Sequence, residues 1–293
     1  MKTVSNIHPA VLTFYFLEVI LTAMFLSNPI IQSEALAGGI LFSVMITNHR
    51  EKSSDLRFYI PMFLLISITN PIFSHNGVTP LFFMNGNAVT FEAIVYGINL
   101  GIMIIGVMLW FKCLSINLTG EKIVYLFGRI IPKTALAITI AMRYIPMIKR
   151  ESREVRRSGK AMGYYSSDSY FDKLRSSLRV MMITVSHSLE NSVETSRAMK
   201  ARGYGLKGHT SYEKYKFRTS DIIFFVVSLF LFVPVILRAV TGDTYFTCYP
   251  SISRLSISAP ALIAYISFGI LTFLPFAFEL EELMRWKYCK SRI

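Results

Sequence analysis

The sequence predicts an all-α, polytopic membrane protein with about six transmembrane helices and a cytoplasmic domain of long amphipathic helices between the fourth and fifth spans. Three observations predict this fold class. First, 53% of the 293 residues are hydrophobic, only 17% are charged and the mean hydropathy is +0.46, which is too apolar for a soluble domain of this size. Second, long apolar stretches recur along the chain. Third, basic residues give a net charge of +13 and are concentrated in a few segments.

The apolar stretches approach or exceed the roughly 20 residues that a membrane-spanning helix needs. An even number of spans places both termini on the same side of the bilayer. The third stretch is short, which leaves the number of spans open by one. The stretches lie at about 10–26, 30–47, 58–73, 89–113, 221–239 and 258–279.

Basic residues assign the sides of the membrane, because Lys and Arg are enriched in cytoplasmic segments. The short segment 48–57 and the C-terminal tail are both basic, and only two arginines fall on the other side. We therefore expect both termini and residues 114–220 to be cytoplasmic, with residues 74–87 and 239–258 outside. The predicted domains are N-terminal transmembrane helices at 1–113, a cytoplasmic domain of long amphipathic helices at 114–220, and C-terminal transmembrane helices with a cytoplasmic tail at 221–293.

Residues 114–220 hold most of the basic residues and keep an interrupted apolar periodicity. The stretch 131–148 is apolar but contains Lys133 and Arg143, which favours a helix on or partly in the membrane interface. The helix then continues as a charged segment to residue 160. From residue 170 to residue 200, apolar residues recur at steps of three and four with no Pro or Gly, which predicts one long amphipathic helix.

Several classes of function are disfavoured by the sequence. The three cysteines are far apart and the five histidines lie singly, so neither a disulfide framework nor a metal site is predicted. A phosphate-binding loop is absent, because Gly159-Lys160 is followed by Ala161 and position 154 is Glu. With no nucleophile and base at usable spacing, we expect no catalytic activity and no cofactor. The net charge of so apolar a chain indicates a bilayer rather than nucleic acid as its partner.

Glu18 lies midway along the first apolar stretch. A carboxylate at that depth costs roughly 2.5–3.5 kcal/mol on insertion scales unless it is paired or protonated. It is therefore a candidate for an intramembrane polar site or for a contact with a membrane partner. A buried structural hydrogen bond is the alternative, and both interpretations stay open.

The end of the second amphipathic helix has a distinct chemistry. Gly203 permits the left-handed conformation that ends a helix, and Ala201 keeps that end slim. The guanidinium of Arg202 is then presented at a blunt tip, where it can bind a carboxylate or a backbone carbonyl in a fork. The alternative is that the basic residues of this turn only complement the helix dipole, which is worth about 0.3–1 kcal/mol.

Three blocks in the same order carry a resemblance to a known family. They are "NPIFSHNGVT" at 70–79, "AMRYIPMIKRESREV" at 141–155 and "AMKARGYG" at 198–205. Together they resemble the T component of energy-coupling factor (ECF) transporters, in the family of cobalt-transport transmembrane proteins. The resemblance runs over nearly the whole chain and is clearest from the third span to the end of the cytoplasmic helices.

The resemblance implies two long cytoplasmic coupling helices, each ending in an Ala-Arg-Gly motif that docks in a groove of one of two ABC-type ATPase subunits. The second motif is intact at Ala201, Arg202 and Gly203. The first falls by position at Ala161, Met162 and Gly163, where Met replaces the arginine. Lys160 or Arg157, earlier in the same helix, is a candidate to supply the missing charge.

The resemblance also implies the function. The chain is expected to be a non-catalytic coupling subunit in the plasma membrane of a prokaryote, transmitting ATPase motion to a membrane-embedded S component that captures a vitamin or a transition-metal ion. The alternative is a self-contained secondary carrier, which needs paired polar residues or broken helices at the midplane. No inverted repeat is found in the spans, and a carrier has no use for the large basic domain. Copurified ATPase subunits distinguish the two.

Because the phosphate-binding loop is absent, we predict that the purified chain alone neither binds nor hydrolyses ATP. Equilibrium binding of a fluorescent ATP analogue to the detergent-solubilised chain measures this directly. The preparation with ATPase subunits present is the positive control. Saturable binding by the chain alone would contradict the prediction.

Overall fold

The fold is known from a computed structural model, in which the described residues form nine α-helices and one two-stranded antiparallel hairpin. The all-α class is thus confirmed. The helices are α1 Pro9–Phe25, α2 Pro29–Ile46, α3 His49–Phe73, α4 Phe91–Asn117, α5 Gly120–Gly128, α6 Pro132–Ala161, α7 Tyr170–Ala201, α8 Thr219–Thr241 and α9 Ala259–Lys290, and the strands are β1 Pro80–Met84 and β2 Asn87–Thr90. The structure describes residues 7–47, 49–74, 76–84, 87–128, 131–163, 169–204, 206, 215, 217–256 and 258–290.

Five of the described helices are long and apolar enough to cross a membrane, namely α2, α3, α4, α8 and α9. Helix α1 is apolar but has 17 residues, a length of about 26 Å against a hydrocarbon core of about 30 Å. A multi-pass membrane protein is therefore confirmed. The sixth span stays a prediction.

Helix α3 begins earlier than the sequence indicated. The segment 48–57 was expected to be a short loop, yet the helix starts at His49. No Pro or Gly occurs between residues 49 and 60 to stop it. The ion pair between Lys112 of α4 and Asp55 of α3 joins the two helices in this region. Hydropathy located the apolar part of α3, and the helix itself extends beyond it.

The chain divides into two compact units, Met1–Thr119 with Tyr215–Ile293, and Gly120–Lys214. An aromatic cluster from three helices lies at the centre of the first unit. Tyr15 and Phe16 of α1, Phe42 of α2 and Trp110 of α4 are all fully buried, with ring centroids 5.5–6.3 Å apart. Edge-on and offset packing of such rings adds stabilisation beyond burial of their area.

Polar groups in this core bind backbone carbonyls that would otherwise lack part of their hydrogen bonding. The Trp110 indole N–H donates to the carbonyl of Ala35 at 2.8 Å, and the Tyr15 hydroxyl donates to the carbonyl of Leu271 at 2.9 Å. These bonds tie α4 to α2 and α1 to α9. Because both lie within apolar surroundings, breaking either leaves a buried group unpaired.

Segment 74–87, expected as an exterior loop, contributes β1 and the start of β2 to a hairpin that the sequence interpretation did not anticipate. The base of this hairpin is held by Glu92, the second residue of α4, whose carboxylate accepts from the Thr79 hydroxyl at 2.8 Å and the Thr79 N–H at 3.3 Å. Glu92 is 3% exposed, so its carboxylate is buried at this base. His75, for which a metal role was disfavoured, lies outside the described residues.

The second unit consists of α5, α6 and α7. Helix α6 has 30 residues and includes the expected interfacial stretch and its charged continuation, with Pro146 inside it. Helix α7 has 32 residues, as the apolar periodicity predicted. The expected cytoplasmic location of residues 114–220 stays a prediction.

We predict that Tyr245→Cys is labelled by a membrane-impermeant maleimide in intact cells and that Tyr170→Cys is labelled only after permeabilisation. Both positions are exposed, at 74% and 81%. The native Cys248 is a poor reporter because it is 6% exposed and burial raises the pKa of its thiol. Cys289 is replaced by Ser in both variants, so that it does not contribute to the labelling. The reverse labelling pattern would show that the topology is inverted.

Candidate functional site

The candidate site is the pair of helices α6 and α7, which pack side by side in opposite directions. The start of α6 shares a groove with the end of α7, through Leu136 on one side and Lys200 on the other. The end of α6 shares a second groove with the first half of α7, through Met162 and Arg179. The two grooves have volumes of about 320 and 450 Å³. The pair is therefore antiparallel.

Two polar contacts join the helices near the middle of the pair. The hydroxyls of Tyr144 on α6 and Thr195 on α7 are 2.7 Å apart. About two helical turns further along α6, the imidazole of His187 contacts the carboxylate of Glu151. Together the contacts set the register between α6 and α7.

Helix α7 ends as the sequence predicted. Gly203 has φ +84°, in the left-handed region that favours glycine. The N–H of Gly203 donates to the carbonyl of Lys200 at 3.0 Å, and the N–H of Tyr204 donates to the carbonyl of Met199 at 3.0 Å. These two bonds form a Schellman motif, which satisfies carbonyls that the helix would leave unpaired.

Helix α6 ends in the same backbone conformation, although its sequence differs. Met162 has φ −83° and ψ 5°, and Arg202 has φ −81° and ψ 4°. Gly163 has φ +79°, close to that of Gly203, and its N–H donates to the carbonyl of Lys160 at 3.1 Å. The two ends therefore differ in the side chain presented at the cap and not in the backbone that presents it.

Both helix tips are open to solvent within the chain. Met162 is 70% exposed, and Ala161, Ala201 and Arg202 are exposed as well. An exposed methionine beside a glycine cap is an apolar tip, whereas Arg202 is a cationic one. No metal-binding group of three or more His, Cys, Asp and Glu side chains occurs among the described residues.

The antiparallel arrangement separates the two tips. Met162 lies in the groove with Arg179, and Arg179 precedes Arg202 by 23 residues on α7. At about 1.5 Å per helical residue this corresponds to about 35 Å. A separation of this size exceeds the span of one small groove, so each tip is available to a different protein surface.

Glu18 belongs to the first unit, where it lies in the core. It is 0% exposed, and among the described residues neither carboxylate oxygen makes a hydrogen bond of good geometry. The Ser228 hydroxyl of α8 lies beside the carboxyl group but donates to the carbonyl of Phe225 at 3.0 Å. A role for Glu18 at the surface of a membrane partner stays a prediction, and complete burial favours the structural alternative.

Sequence reasoning missed the contact between His187 and Glu151. In the sequence His187 is one of five histidines that lie singly, and its side chain is 60% exposed. Its partner lies 36 positions earlier in the chain. Spacing along one helix carries no signal for such a pair, because the contact depends on how α6 and α7 are aligned.

Comparison with known proteins gives consistent matches. The family model for cobalt transport proteins, CbiQ, matches residues 1–212. The energy-coupling factor transporter transmembrane protein EcfT of Brevibacillus brevis is 26% identical over 239 residues, which cover 74% of this chain and 87% of that protein. EcfT of Lactobacillus helveticus is 28% identical over 95 residues, or 32% of this chain and 34% of that protein.

A relative without an assigned activity also matches. The uncharacterized protein MG181 homolog of Mycoplasma pneumoniae is 29% identical over 113 residues, or 38% of this chain. The match covers 26% of that protein. The chain thus spans about a quarter of the length of this relative.

We predict that Glu18→Gln does not lower the unfolding temperature of the chain, because the amide keeps the side-chain volume and removes a charge that burial penalises. Glu18→Ala is expected to reduce the free energy of unfolding by about 1–3 kcal/mol through loss of packing. Thermal unfolding in detergent, followed by circular dichroism, measures both variants. An equal loss in Glu18→Gln would show that the ionised carboxylate itself is required.

Proposed function

The chain belongs to the cobalt transport protein family, and we propose that it is the transmembrane coupling subunit of an ECF-type importer. It transmits conformational change from two ABC-type ATPase subunits to a membrane-embedded S component. Hydrolysis of ATP is carried out by the partner ATPases. The Brevibacillus brevis relative, named as a transmembrane protein of an energy-coupling factor transporter, supports this proposal.

One observation carries the proposal. Two long helices end in the same glycine-terminated cap, and their antiparallel packing holds the tips about 35 Å apart. Dipole complementation explains a basic residue near one helix end, but it does not account for two matching caps. Two separated tips of equal backbone geometry suit two partner subunits that each receive one helix end.

The proposed residues for ATPase binding are Ala161, Met162 and Gly163 on α6 and Ala201, Arg202 and Gly203 on α7. The glycine ends the helix and the alanine keeps it narrow, so the middle residue is the part that enters a groove. At α7 that residue carries a fork of donors for a carboxylate or backbone carbonyls. At α6 it is an apolar, flexible side chain that fills an apolar pocket.

The proposed setting is the plasma membrane of a prokaryote, with both termini and the coupling helices in the cytoplasm. The concentration of basic residues in 114–220 supports this orientation. The transported substrate is a vitamin or a transition-metal ion captured by the S component. The S component, and not this chain, therefore determines which substrate is transported. Stoichiometric copurification of ATPase subunits distinguishes the proposal from a self-contained carrier.

We predict that Arg202→Ala weakens docking of the ATPase subunits by about 2–5 kcal/mol, because buried acceptors in the partner groove lose a charged donor. Arg202→Lys is expected to recover only part of this loss, since a single ammonium cannot form the bidentate fork. Retention of both ATPases on the affinity-purified complex, measured over a salt series, is the readout. Membrane insertion of each variant is checked separately.

Arg197→Ala is the matched control, because it removes an equal charge one turn before the tip. Met162→Ala is expected to weaken docking less than Arg202→Ala, without the salt dependence of a charged contact. If Arg202→Ala retains both ATPases and full transport, the helix end is only a dipole cap. If Met162→Ala is the more damaging change, the dominant anchor lies on α6.

A further inference from the structure

The hairpin formed by β1 and β2 exposes large apolar side chains on both of its faces. Leu81, Phe82 and Phe83 are 56%, 52% and 72% exposed. Because successive residues of a regular strand point to opposite faces, Phe82 and Phe83 lie on opposite faces, while Leu81 lies where the register between the strands shifts. A hairpin that packed one face on the protein would hide one of these two phenylalanines.

The hairpin has no charged residue to protect it in water. Residues 71–91 contain no Asp, Glu, Lys or Arg. Exposed strand edges of soluble proteins are usually protected by charges, by Pro or by a covering element, since an apolar edge promotes aggregation. An uncharged hairpin with exposed phenylalanines is therefore suited to an apolar environment.

Hydrogen bonds fix the base of the hairpin to the start of α4. Besides the bonds from Thr79 to Glu92, the Thr90 hydroxyl donates to the carbonyl of Asn76 at 2.8 Å. Gly77 has φ +144°, and a Cβ atom there would lie 2.6 Å from both the Glu92 carboxylate and the Thr90 hydroxyl. The base is thus polar and tightly packed, whereas the apolar side chains lie beyond it.

The chain on either side of the hairpin lies in membrane-spanning helices. Phe73, at the end of α3, is 79% exposed, and Phe91, at the start of α4, is 48% exposed. Helix α3 is covered little by the rest of the chain, since only 6% of its most apolar stretch is buried. The exposed apolar surface of the hairpin therefore continues the surface that these helices present to lipid.

We propose that strands β1 and β2 form an interfacial membrane anchor, in which Leu81, Phe82 and Phe83 insert among the headgroups and upper acyl chains of the leaflet where α3 ends. Pairing between the strands satisfies their inner backbone groups. The outer N–H and C=O groups need water or headgroups, which restricts the hairpin to the interface and excludes the hydrocarbon centre. Lipid surrounds both faces of the hairpin.

Fluorescence quenching by lipid tests the anchor. The full chain carrying Phe83→Trp is reconstituted into phosphatidylcholine vesicles brominated on the upper part of the acyl chains. The emission of the new indole is taken as the difference from the parent chain. We expect this emission to be blue-shifted and to be largely quenched by the brominated lipid. Phe82→Trp, on the opposite face, is expected to behave in the same way.

Ser251→Trp is the control, because it places an indole at an exposed position of the segment between α8 and α9, near Arg254. It is expected to be quenched by iodide in the water and not by brominated lipid. Quenching of both hairpin variants by iodide alone, or lipid quenching of only one face, would overturn the anchor. So would lipid quenching that disappears in the copurified complex, since a protein partner would then cover the hairpin.

Discussion

Hydrocarbon offers no hydrogen-bond partner to a polypeptide backbone, and this constraint underlies most of the first unit. Every long apolar segment is helical because only a helix satisfies its own backbone there. Two polar side chains of the core bind carbonyl groups of neighbouring helices, Trp110 that of Ala35 and Tyr15 that of Leu271. Glu18 differs from them, since among the described residues neither oxygen of its buried carboxylate makes a hydrogen bond of good geometry.

The second unit presents a different kind of surface. Helix α7 exposes a row of large apolar residues, including Leu178, Met182 and Leu189, in a part of the chain that is also rich in Lys and Arg. Apolar surface of this extent is unusual on a protein that works alone in water. It is consistent with helices that are covered in an assembly, as the proposed coupling role requires.

The sequence predicted the elements better than their arrangement. Hydropathy located the spans, and the unbroken periodicity before Gly203 predicted α7 within a residue or two. The hairpin was missed although Asn85-Gly86, a strong hairpin turn signal, lies between two apolar runs. The matching C-terminal caps of α6 and α7 could be predicted only from the family resemblance, because Met162 replaces the arginine of the motif in α6. The antiparallel alignment depends on side-chain contacts between distant residues, which spacing does not encode.

The near identity of the two caps has a consequence for how such a subunit diverges. Since Met162 and Arg202 have almost the same backbone dihedral angles and each precedes a glycine with positive φ, a lineage can gain or lose the charge at one tip by a single substitution without refolding the helix end. The chemistry of each tip is then free to change together with the surface it meets, while the helices keep their length and register. The side chain at the tip of α6 can therefore evolve independently of the side chain at the tip of α7.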